Sequence, residues 1–218
     1  MCELLDEVYV ATCDDEIFDY ISNIGGKAIM TSTSHERATE RTAEALQKIE
    51  ELNNCQYDII VMIQGDEPLI DPNMINEAIL PLKDHGGVVS NLMSKLNNYD
   101  EAQNPNFVKV VTTIEGDALY LSREPIPSSQ KYSNSVSYYR QLGLIAFSRE
   151  ALLKFINLQT TPLEIIESVD MNRFLENNIP IKMKETEYEA DSVDTKEDLE
   201  RVVEKMKIDK TFLKYKLV

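Results

Sequence analysis

The sequence predicts an α/β fold: a doubly wound, mostly parallel sheet that carries a small antiparallel insert. Three observations point there. Ile59-Ile60-Val61-Met62-Ile63 is an unbroken apolar run of strand length, the pattern of a strand covered on both faces. Strand-like and helix-like segments alternate as far as about Asn97, as in successive βαβ units. The 218 residues, 43% of them hydrophobic, suffice for one sizeable core and not for two ordinary enzyme domains.

In chain order, Glu7–Thr12 reads as the first strand. Asp14 and Asp15 cap a helix in which Ile17, Ile21 and Ile24 recur at i, i+4 and i+7, and Gly25-Gly26 ends it. Lys27–Met30 is a short strand, followed by a helix from about Thr39 to Leu52 that buries Ala45, Ile49 and Leu52. The apolar strand then runs into Gln64-Gly65-Asp66-Glu67-Pro68. Asp71 with Pro72 opens a helix to about Lys83, and Gly86-Gly87 leads to a strand over Val88–Met93. From about 97 to 147 the strands Phe107–Thr113, Ala118–Ser122 and Val136–Phe147 follow without long helices between them, which marks an antiparallel insert or edge. Helices return at Arg149–Asn157 and Leu163–Asn177, then a strand at Pro180–Lys184. A last helix from Thr195 buries Leu199, Val202, Val203 and Met206. The domain spans 1–208, and 209–218 is a tail.

Charge limits the partners. Asp and Glu number 38 against 22 Lys and Arg, a formal charge of -16, so the overall field repels nucleic-acid backbones and anionic lipid heads. A small anionic substrate remains open if a few cations or a metal reverse the sign locally. No apolar run approaches the roughly 18 to 20 residues that span a bilayer, so no membrane partner and a cytoplasmic location are expected. Cys2, Cys13 and Cys55 form no C-x-x-C pair and only two histidines exist, so any metal is expected on oxygen ligands.

Candidate chemistry sits at strand ends, where open α/β sheets bind ligands. Asp66 follows the apolar strand directly, with Gly65 letting a ligand approach the backbone, although a plain strand-to-helix turn explains the same residues. Asp194 ends an extended stretch before the last helix; helix capping is the competing explanation there, with Thr195-x-x-Asp198 reading as a capping box. Two such aspartates could hold a hard cation such as magnesium together with phosphate oxygens. His35–Arg41 brings amides, the Thr39 hydroxyl and guanidinium groups to the same rim, or is simply a capped surface helix. Arg123 could clamp a carboxylate or pair with one of the many acids. Thr161-Pro162-Leu163-Glu164 is a capping box that suffices to explain Glu164, and Asp170 with Arg173 reads as a surface pair.

Taken in order, QGDEP, NPNFVKVV, LSREPIP, YRQLG, TPLEIIE and SVDTKEDLERV resemble the 3-deoxy-D-manno-octulosonate (Kdo) cytidylyltransferases, from about Glu7 to Met206. The resemblance implies a nucleotide-diphospho-sugar transferase fold and a homodimer. It implies transfer of CMP from CTP to a 2-keto-3-deoxy sugar acid, releasing pyrophosphate, for lipopolysaccharide synthesis. By motif match it makes Asp66 and Asp194 the magnesium ligands and places Gln64, with Gly65, at the junction of nucleotide and sugar. Thr39 and Arg41 then fall in the cytidine segment, and Arg123, Gln141 and Glu164 in the segments that hold the sugar acid. Family members begin with a strand and a Gly/Arg/Lys-rich phosphate loop that this sequence does not show. The expectation is therefore of an N-terminally incomplete domain that lacks a central strand and a phosphate clamp, with a non-catalytic remnant as one alternative. Gln141 stands where the family usually has His, Ser128-Ser129 where Trp-Asp is common, and Arg37-Ala38 where Ser-Gly is. Kdo, its 8-amino analogue and a CMP-sialate-type sugar thus all remain open as acceptors.

Overall fold

The computed structural model describes residues 2–131, 135–188 and 191–215. In chain order its elements are β1 (Val10–Thr12), α1 (Asp15–Asn23), β2 (Ala28–Met30), α2 (Ala38–Asn53), β3 (Ile59–Ile63) and α3 (Pro72–His85). There follow β4 (Val89–Lys95), α4 (Tyr99–Gln103), β5 (Lys109–Thr112), β6 (Ala118–Ser122), β7 (Tyr139–Ser148) and α5 (Arg149–Phe155). The chain ends with α6 (Pro162–Glu167), α7 (Met171–Glu176), β8 (Lys182–Glu185), α8 (Lys196–Met206) and α9 (Lys210–Tyr215).

The main sheet is organised around β7. One edge of β7 pairs antiparallel with β4, and the other pairs antiparallel with β3 and, at Arg140, with β5. β8 adds parallel to β4, and β6 adds antiparallel to β5. Since β3 and β4 both oppose β7, the strands β3, β4 and β8 run in one direction, as in a doubly wound sheet, and β7 is the reversed strand among them. Side chains alternate between two cores. Ile145 and Phe147 join α2, α5 and α7 on one face, whereas Leu144 and Ala146 join α3 on the other, which makes three layers. Phe155 and Phe174, with ring centroids 5.1 Å apart, close the first core.

Several expectations need correcting. The strand expected over Val136–Phe147 to end the insert runs over Tyr139–Ser148 and is the centre of the sheet; only β5 and β6 form an antiparallel edge. β1 and β2 make a separate parallel pair, and β1 covers only the end of the stretch read as the first strand. With just that small sheet to lie on, α1 buries none of its residues, and Ile17 and Ile24 are exposed. In α2 the covered face is Thr39, Ala43, Ala45 and Leu46, while Leu52 at the far end points to solvent. In α8 only Val202 is buried. The helix expected over 163–177 is two, because Ser168 at φ 51° ends α6 in the left-handed region and α7 restarts three residues later. Two helices were not expected: α4, capped by Asn98 through the Glu101 amide at 2.9 Å, and α9 in the tail.

One irregularity bears directly on the site. Asn91 lies opposite Ile145 and Met93 opposite Gln141, so Leu142, Gly143 and Leu144 of β7 stand against Leu92 alone. This bulge lifts Gly143 towards the turn after β3, the kind of re-aiming that bulges provide beside active sites.

Candidate active site

The Gln64–Pro68 turn is stitched to its surroundings by backbone bonds. The Gln64 amide donates to the Gly143 carbonyl at 2.9 Å, and the Gly143 amide donates to Glu67 Oε1 at 3.1 Å. The Val193 amide donates to the Asp66 carbonyl at 2.9 Å, which brings the segment before α8 against the turn. Asp66 and Asp194 thereby line one cavity of about 1380 Å³. Asp66 Oδ1 and Glu67 Oε2 are buried and accept no hydrogen bond among the described residues. Burial pushes both carboxyls above their ordinary values, and the charge of Asp194 adds to each. The capping box expected at the start of α8 is present, between Thr195 and Asp198. The Asp194 amide donates to Asp198 Oδ2 at 3.3 Å, but its carboxylate stands outside the cap, accepting from Ser192 Oγ at 3.3 Å. An orphaned buried oxygen and a second, like-charged carboxylate suit a hard divalent cation. Among the described residues no cluster of three or more His, Cys, Asp or Glu is arranged to hold a metal. A cation here would take carboxylates from Asp66 and Asp194 and its remaining oxygens from substrate.

Cations face these acids across the cavity, whose lining includes Arg37, Arg41, Arg123 and Arg140. Arg41 is held by Thr31 Oγ1 and by the Ser32 carbonyl at 3.2 Å. Arg37 donates to Ser168 Oγ at 3.1 Å. Arg140 lies over the Phe107 ring, 4.5 Å from its centroid. The Arg123 guanidinium does not pair with an acid: three N–H groups go to the carbonyls of Glu167, Pro105 and Ser168, at 2.8, 2.7 and 3.3 Å. Its charge faces the cavity while its geometry is fixed by backbone, which leaves two of its five N–H groups for a ligand. Lys109, which sequence reasoning missed, is fully buried beneath this wall and donates to the Asn104, Phe107 and Arg123 carbonyls. Burial lowers the pKa of its ammonium.

The structure does not place every expected residue in the cavity. Gln64, Gly65, Asp66, Arg41, Arg123, Gln141 and Asp194 line it. Thr39 does not: it is fully buried under the floor, and its hydroxyl donates to Asp170 Oδ2 at 2.6 Å. Glu164 is likewise fully buried, its two oxygens taken by Arg173 Nε and Nη2 at 2.6 and 2.5 Å. It supports Arg37, 4.0 Å away, and does not reach the cavity. Arg173 is buried, whereas Asp170 is half-buried and lines the cavity, and the two do not form the expected surface pair. His35 is bonded to Glu44, away from the cavity lining.

Two acids brought to one cavity and four arginines in its lining call for comparison with known proteins. The family profile described as "Cytidylyltransferase" matches residues 1–188. The chain belongs to the cytidylyltransferase family. Among curated relatives, a 3-deoxy-manno-octulosonate cytidylyltransferase of Geobacter metallireducens is 41% identical over 93% of this chain and 82% of the relative. One of Fusobacterium nucleatum is 42% identical over 93% and 81%. The solved structure of CMP:2-keto-3-deoxy-manno-octonic acid synthetase complexed with CTP superposes with a TM-score of 0.86 at 33% identity, covering 94% of this chain and 83% of the other. A 4-diphosphocytidyl-2C-methyl-D-erythritol synthase from Anaerococcus prevotii, at TM-score 0.60 and 16% identity, shares the fold alone.

In this cytidylyltransferase the glycine of the bulge is tightly constrained. A Cβ at Gly143 would come within 3.1 Å of both Gln64 Cβ and Glu67 Cγ. Gly143→Ala must displace the turn that carries Asp66, and misplacement on the ångström scale costs up to about 100-fold in rate. The expected result is a kcat at least about tenfold lower with the fold retained, read by initial rates and circular dichroism. Unchanged kcat would show that the turn yields freely.

Proposed function

We propose that this protein transfers CMP from CTP to 3-deoxy-D-manno-octulosonate or its 8-amino analogue, releasing pyrophosphate. The observation that carries the reading is that Asp66, after β3, and Asp194, before α8, line one cavity together with Arg37, Arg41, Arg123 and Arg140. The relatives named above support the choice of substrates. The anomeric hydroxyl oxygen of the sugar acid attacks the α-phosphorus, the bond to the bridging oxygen of the β-phosphate breaks, and pyrophosphate leaves. The hydroxyl proton is released to solvent in this scheme.

The chain's own residues bind and orient. Arg37 and Arg41, on the first turn of α2 and its cap, stand where they oppose phosphate charge, and Arg123 and Arg140 oppose the sugar carboxylate. Gln64, tied to Gly143, lines the same cavity. Asp66 and Asp194 would hold magnesium, which neutralises triphosphate charge and lowers the pKa of a sugar hydroxyl. A homodimer belongs to the same proposal, supported by Ile114 and Leu119, both exposed on the β5–β6 hairpin. So does a cytoplasmic location, where CTP is made; among the described residues no helix is long and apolar enough to cross a membrane.

The test follows pyrophosphate release from CTP and magnesium with and without the keto-sugar acid, and light scattering for the dimer. Release that requires the sugar acid is expected. Release that is indifferent to it, or absent with every keto-sugar acid offered, would overturn the reading.

A further inference from the structure

Gln141 projects from β7 into the cavity, beside the β4–β7 bulge. Its Nε2 donates to Asn91 Oδ1 at 2.6 Å. Asn91 is fully buried, and its orientation is forced by chemistry: its Nδ2 lies 2.9, 3.0 and 3.2 Å from the carbonyls of Leu142, Leu144 and Leu92, none of which can donate. Two of these carbonyls belong to the bulged stretch of β7, where the ladder is interrupted. Filling the bulge thus turns Asn91 so that Oδ1, an acceptor, faces Gln141.

That constraint propagates. An acceptor at Asn91 requires the Gln141 amide to present nitrogen inwards, spending one of its two N–H groups there, which turns Gln141 Oε1 outwards as the acceptor that can meet a ligand. No described residue donates to it. An amide free to flip could exchange oxygen for nitrogen at the outward position, whereas this one is held with Oε1 there.

We propose that Asn91 is a specificity-determining positioning residue, which fixes Gln141 so that the cavity presents Oε1 to the sugar acid and selects an acceptor substrate offering a hydrogen-bond donor there, a hydroxyl or an ammonium. This rests on the cytidylyltransferase reading and names what that site demands of its sugar. An ammonium, which can only donate and is cationic, suits such an acceptor in a protein of formal charge -16. A group that only accepts leaves two oxygens facing each other, and a mismatch of that kind discriminates strongly.

The experiment is a double-substitution cycle read as KM for the sugar acid and KM for CTP. Asn91→Leu is expected to raise KM for the sugar acid about tenfold, the scale of one lost hydrogen bond, with KM for CTP within about twofold. Gln141→Leu does the same. In the double variant the Asn91 change adds nothing further, because the group it orients is gone. Asn91→Asp separates orientation from packing, since a protonated buried carboxyl donates to a carbonyl through one oxygen and accepts from Gln141 through the other. It is expected to restore the sugar KM even if the melting temperature falls, and it carries the test should Asn91→Leu fail to fold. Additive effects, an equal rise in both KM values, or no rescue by Asn91→Asp would overturn the proposal. Wild-type protein active on no keto-sugar acid would instead overturn the function reading, so the two failures are distinguishable.

Discussion

Asp66→Asn is expected to abolish CMP transfer while leaving the fold as stable as before or more so. The two signs come from one cause. Burial and the Asp194 charge hold the Asp66 carboxyl above its ordinary value, so its ionised form is disfavoured in the folded protein. An acid with a raised folded pKa lowers stability at pH values above its unfolded pKa, and the loss is relieved as pH falls through the folded value. A neutral amide removes that repulsion near pH 7, and the melting temperature of the metal-free protein should not drop. Activity depends on the same charge in the opposite sense. Cation and transition-state charge stabilisation are worth several kcal/mol, so kcat/KM should fall at least about 100-fold. A readout independent of turnover is the rise in melting temperature on adding magnesium, expected for the wild type and absent in Asp66→Asn. Activity within a few-fold of wild type, or an undiminished magnesium shift, would remove Asp66 from the cation site.

How legible was this in the sequence? Local signals were read well where one stretch of chain decides the outcome. The apolar run became β3, Asp14 and Asp71 cap their helices through the Ile17 and Asn73 amides, and Ala118–Ser122 is β6. Asp66 was found because it follows a buried strand. What failed depended on distant partners. Tyr139–Ser148 carries nothing that says three strands will pair with it, so its place at the centre of the sheet was invisible. The period of Ile17, Ile21 and Ile24 describes an amphipathic helix without showing that only a two-stranded sheet lies beneath it. Asn91 lies unremarked within the strand expected over Val88–Met93, and its role appears only when the bulge brings Leu142 and Leu144 within reach. Glu164 was the hardest case: the capping box accounts for it so fully that nothing in the sequence asks for a second partner.

That second partner sets the largest expected effect on stability. The Glu164 carboxylate and the Arg173 guanidinium are both nearly inaccessible, at 1% and 4% side-chain exposure, and meet in a bidentate pair. Arg173 also lies over the Phe155 ring, 4.0 Å from its centroid. Although burial opposes its charge, the hydrogen bond to Glu164 keeps its pKa above the ordinary arginine value. Removing one member strands the other in a dry interior, which costs about 3 to 5 kcal/mol. Arg173→Met should accordingly lower the melting temperature by about 6 to 20 °C for a chain of this length. Removing both charges is cheaper than removing one, so the pair Glu164→Leu with Arg173→Met should recover much of the loss. Denaturant titration of the two single variants and the double would measure this. A single-variant loss below about 1 kcal/mol, or a double loss equal to the sum, would mean the pair is hydrated and independent. The rescued double variant also decides what Glu164 does for the reaction. If the glutamate held the sugar acid directly, KM for the sugar would rise even in the stable double variant. Since both its oxygens are spent on Arg173 and its side chain lies outside the cavity, KM for the sugar acid is expected to stay within a few-fold of wild type.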